Sequence, residues 1–301
     1  MTDVPQTRCG FVALIGAPNA GKSTLLNQLV GQKVSIVSPK VQTTRTRIVG
    51  IVTEGECQLV LVDTPGIFEP KRRLERAMVE AAWSGQTESD ATLLLIDAER
   101  GIGERVRPIL DRMVAAGRPF RVALNKIDLV RKDTLLALAA ELGAIALVEE
   151  VFMISALTGD GVDELRRHLS ALMRPGPWLY PDDQVVDLPN RLLAAEITRE
   201  KLFLRLHQEL PYSLTVETEQ WTEKPDGSLR IDQVIFVTRE AHRPIVLGKG
   251  GRTVREIGQA ARTELAEIYE RPVHLFLFVK VREKWLDDPA RYREMGLDFT
   301  R

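Results

Sequence analysis

Residues 16–23 read Gly-Ala-Pro-Asn-Ala-Gly-Lys-Ser, and no other stretch of the 301-residue chain restricts its fold as much. The apolar run FVALIG (11–16) precedes it, and a helically spaced run over 22–31 follows. A Gly-x-x-x-x-Gly-Lys-Ser turn between a strand and a helix is built to cradle phosphate. Glycine lets backbone N–H groups approach an anion without a Cβ in the way, and the helix adds its positive N-terminal end. Gly16, Ala17, Pro18, Asn19, Ala20 and Gly21 would wrap the anion, and Lys22, Ser23 and Thr24 would open the helix behind it. Lys22 would lie between the β- and γ-phosphates, and the Ser23 hydroxyl would ligate magnesium.

The first half repeats this strand-then-helix alternation. Short runs rich in Val, Ile and Leu lie at 11–16, 58–63, 91–97, 121–126 and 150–155, apolar on both faces, as strands of a parallel sheet covered on both sides are. Residues 46–52 (TRIVGIV) are a further candidate strand. The pattern predicts a doubly wound α/β domain with a mostly parallel sheet over 1–174. Four of the chain's 16 prolines fall within 174–190, which sets 175–190 apart as a linker. Then the order changes: a helix over 191–209, strands over 213–222 and 229–239 joined through Asp226 and Gly227, a helix over 252–269 and a strand over 273–281. This α-β-β-α-β succession is α+β, and residues 283–301 form a tail.

Three further motifs fall at predicted strand ends, the ligand side of such sheets. Asp63, Thr64, Pro65 and Gly66 follow the second run; Asp63 would reach magnesium, and the Gly66 N–H would sense a γ-phosphate. Asn125, Lys126 and Asp128 close the fourth run. A carboxylate accepts two hydrogen bonds from guanine N1–H and N2–H2, and adenine would leave it unpaired. Lys126 would run its stem along the base, and Asn125 would tie its loop to the phosphate loop. After the fifth run come Ser155 and Ala156, whose backbone N–H would meet guanine O6. Within 35–47, Thr44 is the hydroxyl expected to complete the magnesium shell, with Thr43 the alternative.

Gly248, Lys249, Gly250 and Gly251 open the helix at 252, and Lys249, Arg252 and Arg255 come before the first acid, Glu256. Such a GxxG loop clamps the backbone of about four single-stranded nucleotides. Residues 191–301 carry 19 Lys and Arg against 18 Asp and Glu, a net of 19 − 18 = +1. The RNA footprint is therefore expected to be local, with stacking beside phosphate contact and a modest salt slope. The helix at 252–269 and the strand around 276–280 are expected to line it. The whole chain's net charge of −1 excludes a histone-like cationic mode. Cys9 and Cys57 are too few for a disulfide framework and suggest a reducing compartment. No leader of the usual form and no apolar run near the ~20 residues of a membrane span is seen, so a cytoplasmic protein is expected.

The motifs GAPNAGKSTLLN (16–27), QTTRTRIVGI (42–51), DTPGI (63–67), NKID (125–128) and ISA (154–156), with the second-half pattern, resemble the translation-factor class of GTPases and, within it, the Era family of bacterial ribosome-assembly GTPases. The resemblance implies a P-loop GTPase domain followed by a type 2 KH domain over 191–282. It further implies GTP hydrolysis with Mg2+, and binding of single-stranded RNA near the 3′ end of 16S ribosomal RNA in assembly of the small ribosomal subunit. A monomer is expected, and peripheral attachment at the inner face of the cell membrane would be weak, because the sequence has neither a lipidation motif nor a strongly basic amphipathic helix. Many GTPases place Gln directly after the DxxG glycine to orient water, but here Ile67 occupies that place, which implies slow turnover helped by RNA, the ribosome or a cation. The resemblance puts Asn19 where related GTPases coordinate K+, and with Lys22 and Thr44 it makes up the candidate catalytic set; a loop-capping Asn19 is the alternative. An RNA-binding scaffold without turnover is the competing function, opposed by the intact Lys22, Ser23, Asp63 and Asp128.

Overall fold

The computed structural model describes residues 7–41, 43–208, 210–283 and 285–299. Gln42 of the shared motif, Glu209 at the expected helix end and Lys284 of the tail lie outside the described residues. The chain divides into two compact units, one of Met1–Ser35, Thr44–Asp187 and Met295–Arg301, the other of Ile36–Thr43 and Leu188–Glu294.

The first unit runs β1 (Arg8–Gly16), α1 (Lys22–Val30), β2 (Ile48–Glu54), β3 (Cys57–Asp63), α2 (Arg73–Thr87), β4 (Ala91–Asp97), α3 (Arg107–Ala115), β5 (Phe120–Asn125), α4 (Lys132–Gly143), β6 (Val148–Ile154), α5 (Val162–Leu172), β7 (Arg174–Pro175) and β8 (Val186–Asp187). Strand order is β6-β5-β4-β1-β3-β2-β8, with β7 paired to β1. Pairing is parallel from β6 through β3, and β2, β7 and β8 are antiparallel to their neighbours. The apolar runs split as strands buried on both faces must. Val12 and Leu14 pack in one core with Leu25, Leu26, Leu165 and Leu169; Ala13 and Ile15 pack in the other with Trp83, Met113 and Leu135. The order reverses at β1, and in such sheets ligands gather outside the carboxyl ends of the strands at that switch point.

The proline-rich stretch contributes β7 and β8 to the sheet margin. Between them, buried Gln58 accepts the Leu179 and Tyr180 N–H groups and donates to Tyr180 O at 2.9 Å. Proline lacks a donor and suits such edge positions.

The second unit runs α6 (Asn190–Arg205), β9 (Leu214–Glu223), β10 (Leu229–Val237), α7 (Arg243–Leu247), α8 (Arg252–Ile268), β11 (Val273–Val281) and α9 (Pro289–Glu294). The sheet order is β11-β10-β9. The β9–β10 hairpin turns at Asp226, whose Oδ1 accepts the Ser228 N–H and hydroxyl. β10 and β11 are parallel, so the chain crosses over between them, and α7 and α8 make that crossover. The helices cover one sheet face: Leu202, Val216, Ile235, Ile257 and Val279 share one core, and Ile197, Ile231, Leu265 and Val273 another. Among the described residues, no helix is long and apolar enough to cross a membrane.

Candidate nucleotide site and candidate RNA interface

The phosphate loop joins β1 to α1, and tertiary neighbours fix its shape. Gly21 caps α1 with φ 98°, and a Cβ there would stand 2.1 Å from Asn125 Nδ2. Two hydrogen bonds account for that proximity: Asn125 Nδ2 donates to Ala20 O at 2.8 Å, and its Oδ1 accepts the Ala156 N–H at 2.9 Å. One buried amide thus holds the loops after β1, β5 and β6 together. The fourth loop joins through the Ile67 N–H, which donates to Gly16 O at 3.0 Å.

Lys22 is buried and donates to Gly16 O at 3.1 Å and Ala17 O at 3.2 Å, keeping its ammonium within the loop. Burial pushes its pKa down to about 8 against the pull of Asp63. Asp63, at the end of β3, is fully buried. Its Oδ2 accepts the Ser23 hydroxyl at 2.6 Å and the Ser35 hydroxyl at 3.0 Å. Its Oδ1 is buried with no hydrogen-bond partner among the described residues. Desolvation raises its pKa, opposed by Lys22 and the hydroxyls around it. The Thr44 hydroxyl lies 2.9 Å from that of Ser23. An orphaned carboxylate oxygen beside two hydroxyls is a donor set for a hard cation, which takes oxygen ligands. These residues therefore fit Mg2+.

Of the two threonines, the structure brings Thr44 to this cluster. Thr43 instead donates to Lys40 O at 2.7 Å and lies 2.6 Å from the Ser38 hydroxyl. The segment carrying it belongs to the second unit: Ile36 packs with Leu193 and Ile197, the Val37 N–H meets Glu200 at 2.7 Å, Lys40 donates to Leu206 O at 2.6 Å, and buried Arg199 donates to Thr43 O.

Lys126 has φ 66°, and its ammonium meets Asp97 at 2.6 Å, so its stem is anchored at both ends. Asp128 is exposed on the one-turn helix that follows. Ser155 is fully buried and its hydroxyl accepts the Thr158 N–H at 3.2 Å. Thr64 donates to Leu14 O at 2.8 Å, which seats the Pro65–Gly66 turn beside β1. Ile67 packs in the core, as an apolar side chain would, and offers nothing to a water molecule.

Sequence reading missed Ser35, Asn27 and Asp97. Asn27 Oδ1 accepts the N–H groups of Val34 and Ser35, and its Nδ2 donates to Ser35 O at 2.7 Å, which aims the Ser35 hydroxyl at Asp63. Ser35 opens the polar 35–47 segment, and Asp97 ends an apolar run as Asp63 does; those positions were the available signals.

In the second unit, Gly248 has φ 72°, and a Cβ would meet Thr253 Oγ1 at 2.2 Å. Lys249 and Gly250 are exposed, and Gly251 caps α8 with φ 75°. Arg252 and Arg255 are exposed on the first turns, and Arg252 donates to Glu256 at 2.9 Å. The helix N-terminus is open to an anion, with cations beside it. The expected lining strand divides by face: Leu277 and Val279 point to the helices, but Phe276, Phe278 and Lys280 are exposed on the other side, since side chains alternate along a strand.

A family model described as 50S ribosome-binding GTPase matches residues 11–126, and one described as KH domain matches 209–286. The chain is 60% identical to GTPase Era of Mesorhizobium japonicum over 99% of this chain and 98% of that relative. It is 61% identical to GTPase Era of Afipia carboxidovorans, covering 98% and 96% of the two. A crystal structure of Era with MgGDPNP and nucleotides 1506–1542 of 16S ribosomal RNA superimposes with TM-score 0.91 at 41% identity, over 96% of this chain and 99% of that one. An Aquifex aeolicus Era variant bound to GDP and AlF4− gives the same values.

Proposed function

The chain belongs to the Era family of GTPases, and from that membership we propose that it works as a guanine-nucleotide switch carrying a KH grip on single-stranded RNA near the 3′ end of 16S ribosomal RNA, in assembly of the small subunit. The observation that carries the switch half is the buried Asp63, with one oxygen taken by Ser23 and Ser35 and the other without a hydrogen bond among the described residues, beside the buried ammonium of Lys22.

Each residue then has a chemical part. Backbone N–H groups of the loop other than at Pro18, which has none, and those of the α1 N-terminus donate to the phosphate oxygens. Lys22 places its charge along the β/γ-phosphates. Ser23, Thr44 and Asp63 would hold Mg2+, which when bound offsets the charge that develops on the transferring phosphoryl group. Asp128 reads guanine N1–H and N2–H2, Lys126 lies along the base on its anchor at Asp97, and Ala156 N–H meets O6. Ile67 leaves the attacking water without a side-chain partner there, so intrinsic turnover is slow. Asn19, held at φ 65°, is the residue proposed to hold K+.

Fluorescent-GDP titration with and without Mg2+, and hydrolysis in potassium against sodium, test this reading. Wild type is expected to bind in Mg2+, Ser23→Ala to lose the magnesium dependence, and hydrolysis to run faster in potassium. Equal rates in the two salts remove Asn19 from catalysis; absence of GDP binding removes the switch. The Gly248–Gly251 loop would take the RNA backbone, with Lys249, Arg252 and Arg255 on its phosphates. A cytoplasmic monomer with at most weak attachment at the membrane face fits the same reading, and sedimentation with and without vesicles checks it.

A further inference from the structure

Phe276 and Phe278 lie two residues apart on β11 and are 45% and 50% exposed. They point away from α8, whose Gly258 lies against Leu277 on the opposite face. A pair of half-exposed phenyl rings on an edge strand exposes apolar area and invites aggregation, so such a pair marks a contact surface. Basic side chains border the rings. The Arg230 guanidinium stands over the Phe276 ring at 4.9 Å, His274 pairs with Arg230 in the strand register, and Lys280 follows on the same face. Among the described residues the acids of this face are held by cations: Asp232 by Arg230, Glu219 by Lys280, and Glu217 by Arg282 and Arg291. The Lys280–Glu219 pair is half exposed on both sides, and such pairs contribute little, so a phosphate can replace the carboxylate.

We propose that this outer sheet face is a second RNA contact, with Phe276 and Phe278 each stacking on a base of the strand whose backbone is gripped at Gly248–Gly251. The inference rests on the RNA reading above and extends it. A GxxG loop holds about four nucleotides, whereas the RNA crystallised with a related Era runs from nucleotide 1506 to 1542. The KH unit has almost no net positive charge to hold the remainder through phosphates alone, which leaves stacking as the available force. β11 is the edge strand, so RNA passing over that edge goes from the helix side to the outer face without crossing the sheet. A second copy of the chain fits less well, because a two-fold contact would bring Arg230 and Lys280 against their own counterparts, with only the acids they already hold between them.

The test is fluorescence anisotropy with the full chain and two labelled RNAs. One copies nucleotides 1506–1542 of 16S ribosomal RNA, and the other is a single-stranded 3′ fragment of about four nucleotides, the length the loop grips. Phe276→Ala/Phe278→Ala should weaken the long RNA by about tenfold or more and leave the short one unchanged. Phe276→Tyr/Phe278→Tyr should restore the long RNA, because the rings still stack. Phe276→Leu/Phe278→Leu should not, because bulk alone offers no π-face. Unaltered melting and GTP hydrolysis confirm that the variants are folded. Equal affinity of wild type and the alanine variant for the long RNA overturns the proposal while the GxxG reading stands. A change in sedimentation in place of a change in RNA affinity assigns the face to self-association and also overturns it. If wild type binds neither RNA, the KH reading falls, and this inference with it.

Discussion

The two glycine loops of this chain use one local device and reach opposite physical states. Each turns through residues of positive φ into a helix N-terminus, at Gly21 before α1 and at Gly251 before α8. The phosphate loop is walled in: Lys22 and Asp63 are buried, and Gly21 touches Asn125. The GxxG loop is open: Lys249 and Gly250 are exposed, and a Cβ on Gly250 would meet nothing within 4 Å. A compact, highly charged ligand is gripped by preorganised donors in a dry site, where each interaction counts for more. A polymer must be admitted from the side, so its clamp stays exposed and each contact is weak.

The largest test of this contrast is at the base. Asp128→Asn exchanges a carboxylate for an amide, and xanthine offers an acceptor where guanine has a donor. Preference should swing from guanine towards xanthine nucleotides by on the order of 10⁴-fold, read by competition against fluorescent GDP. Unchanged RNA affinity in the same variant would confirm that the two sites are read separately.

Next in size is alanine in each loop. Gly21→Ala must displace Asn125 and hold a strained backbone, so nucleotide affinity should fall at least about a hundredfold and stability by about 2–4 kcal/mol. Gly250→Ala carries only the left-handed strain, about 1–2 kcal/mol, and should leave GDP binding intact. Titration and thermal unfolding of both variants measure the difference; similar losses in the two would erase the distinction drawn between a walled and an open loop.

The burial of Lys22 also predicts a pH response. Burial holds the free Lys22 ammonium to about 8, below its unfolded value, and bound phosphates favour the protonated form. Nucleotide affinity should therefore be level below pH 8, fall about tenfold per unit above it, and be accompanied by proton uptake. In the free protein the sign reverses: the unfolded chain binds the extra proton, so this group's contribution to stability rises with pH above about 8. Calorimetry in two buffers of different ionisation enthalpy checks the uptake.

Smaller effects follow at the margins. Asp97→Asn should loosen GTP and GDP alike by about five- to tenfold, and this loss should vanish in a Lys126→Ala background, because Asp97 acts through that stem. Arg252→Ala should reduce the slope of log affinity against log salt by about 0.7 for single-stranded RNA, with the intact loop giving about −2 for three cations.

Much of this was legible in the chain because it is local. The strand runs, the glycine turns and the chemistry of Asp63, Asn125 and Asp128 are short-range patterns, and the unbroken apolar run Val12–Ile15 already implies cover on both faces of the sheet. Other features depend on partners far along the chain. Gln58, a polar residue inside an apolar run, gives no hint of the Leu179 and Tyr180 groups it ties down. Arg199 and Glu196 look like the solvated side of a helix, yet they are buried as a pair with the Thr43 carbonyl.

By itself, then, the amino-acid order determined which groups could grip phosphate, choose guanine and clamp RNA, because backbone turns and side-chain chemistry are set within a few residues. Only tertiary structure decided that Thr44 rather than Thr43 joins Ser23, that Asp63 keeps an oxygen without a hydrogen bond among the described residues, and that Phe276 and Phe278 face away from α8. Those outcomes rest on burial and on pairing between distant segments, and no local periodicity encodes how much water a side chain loses when the rest of the chain closes over it.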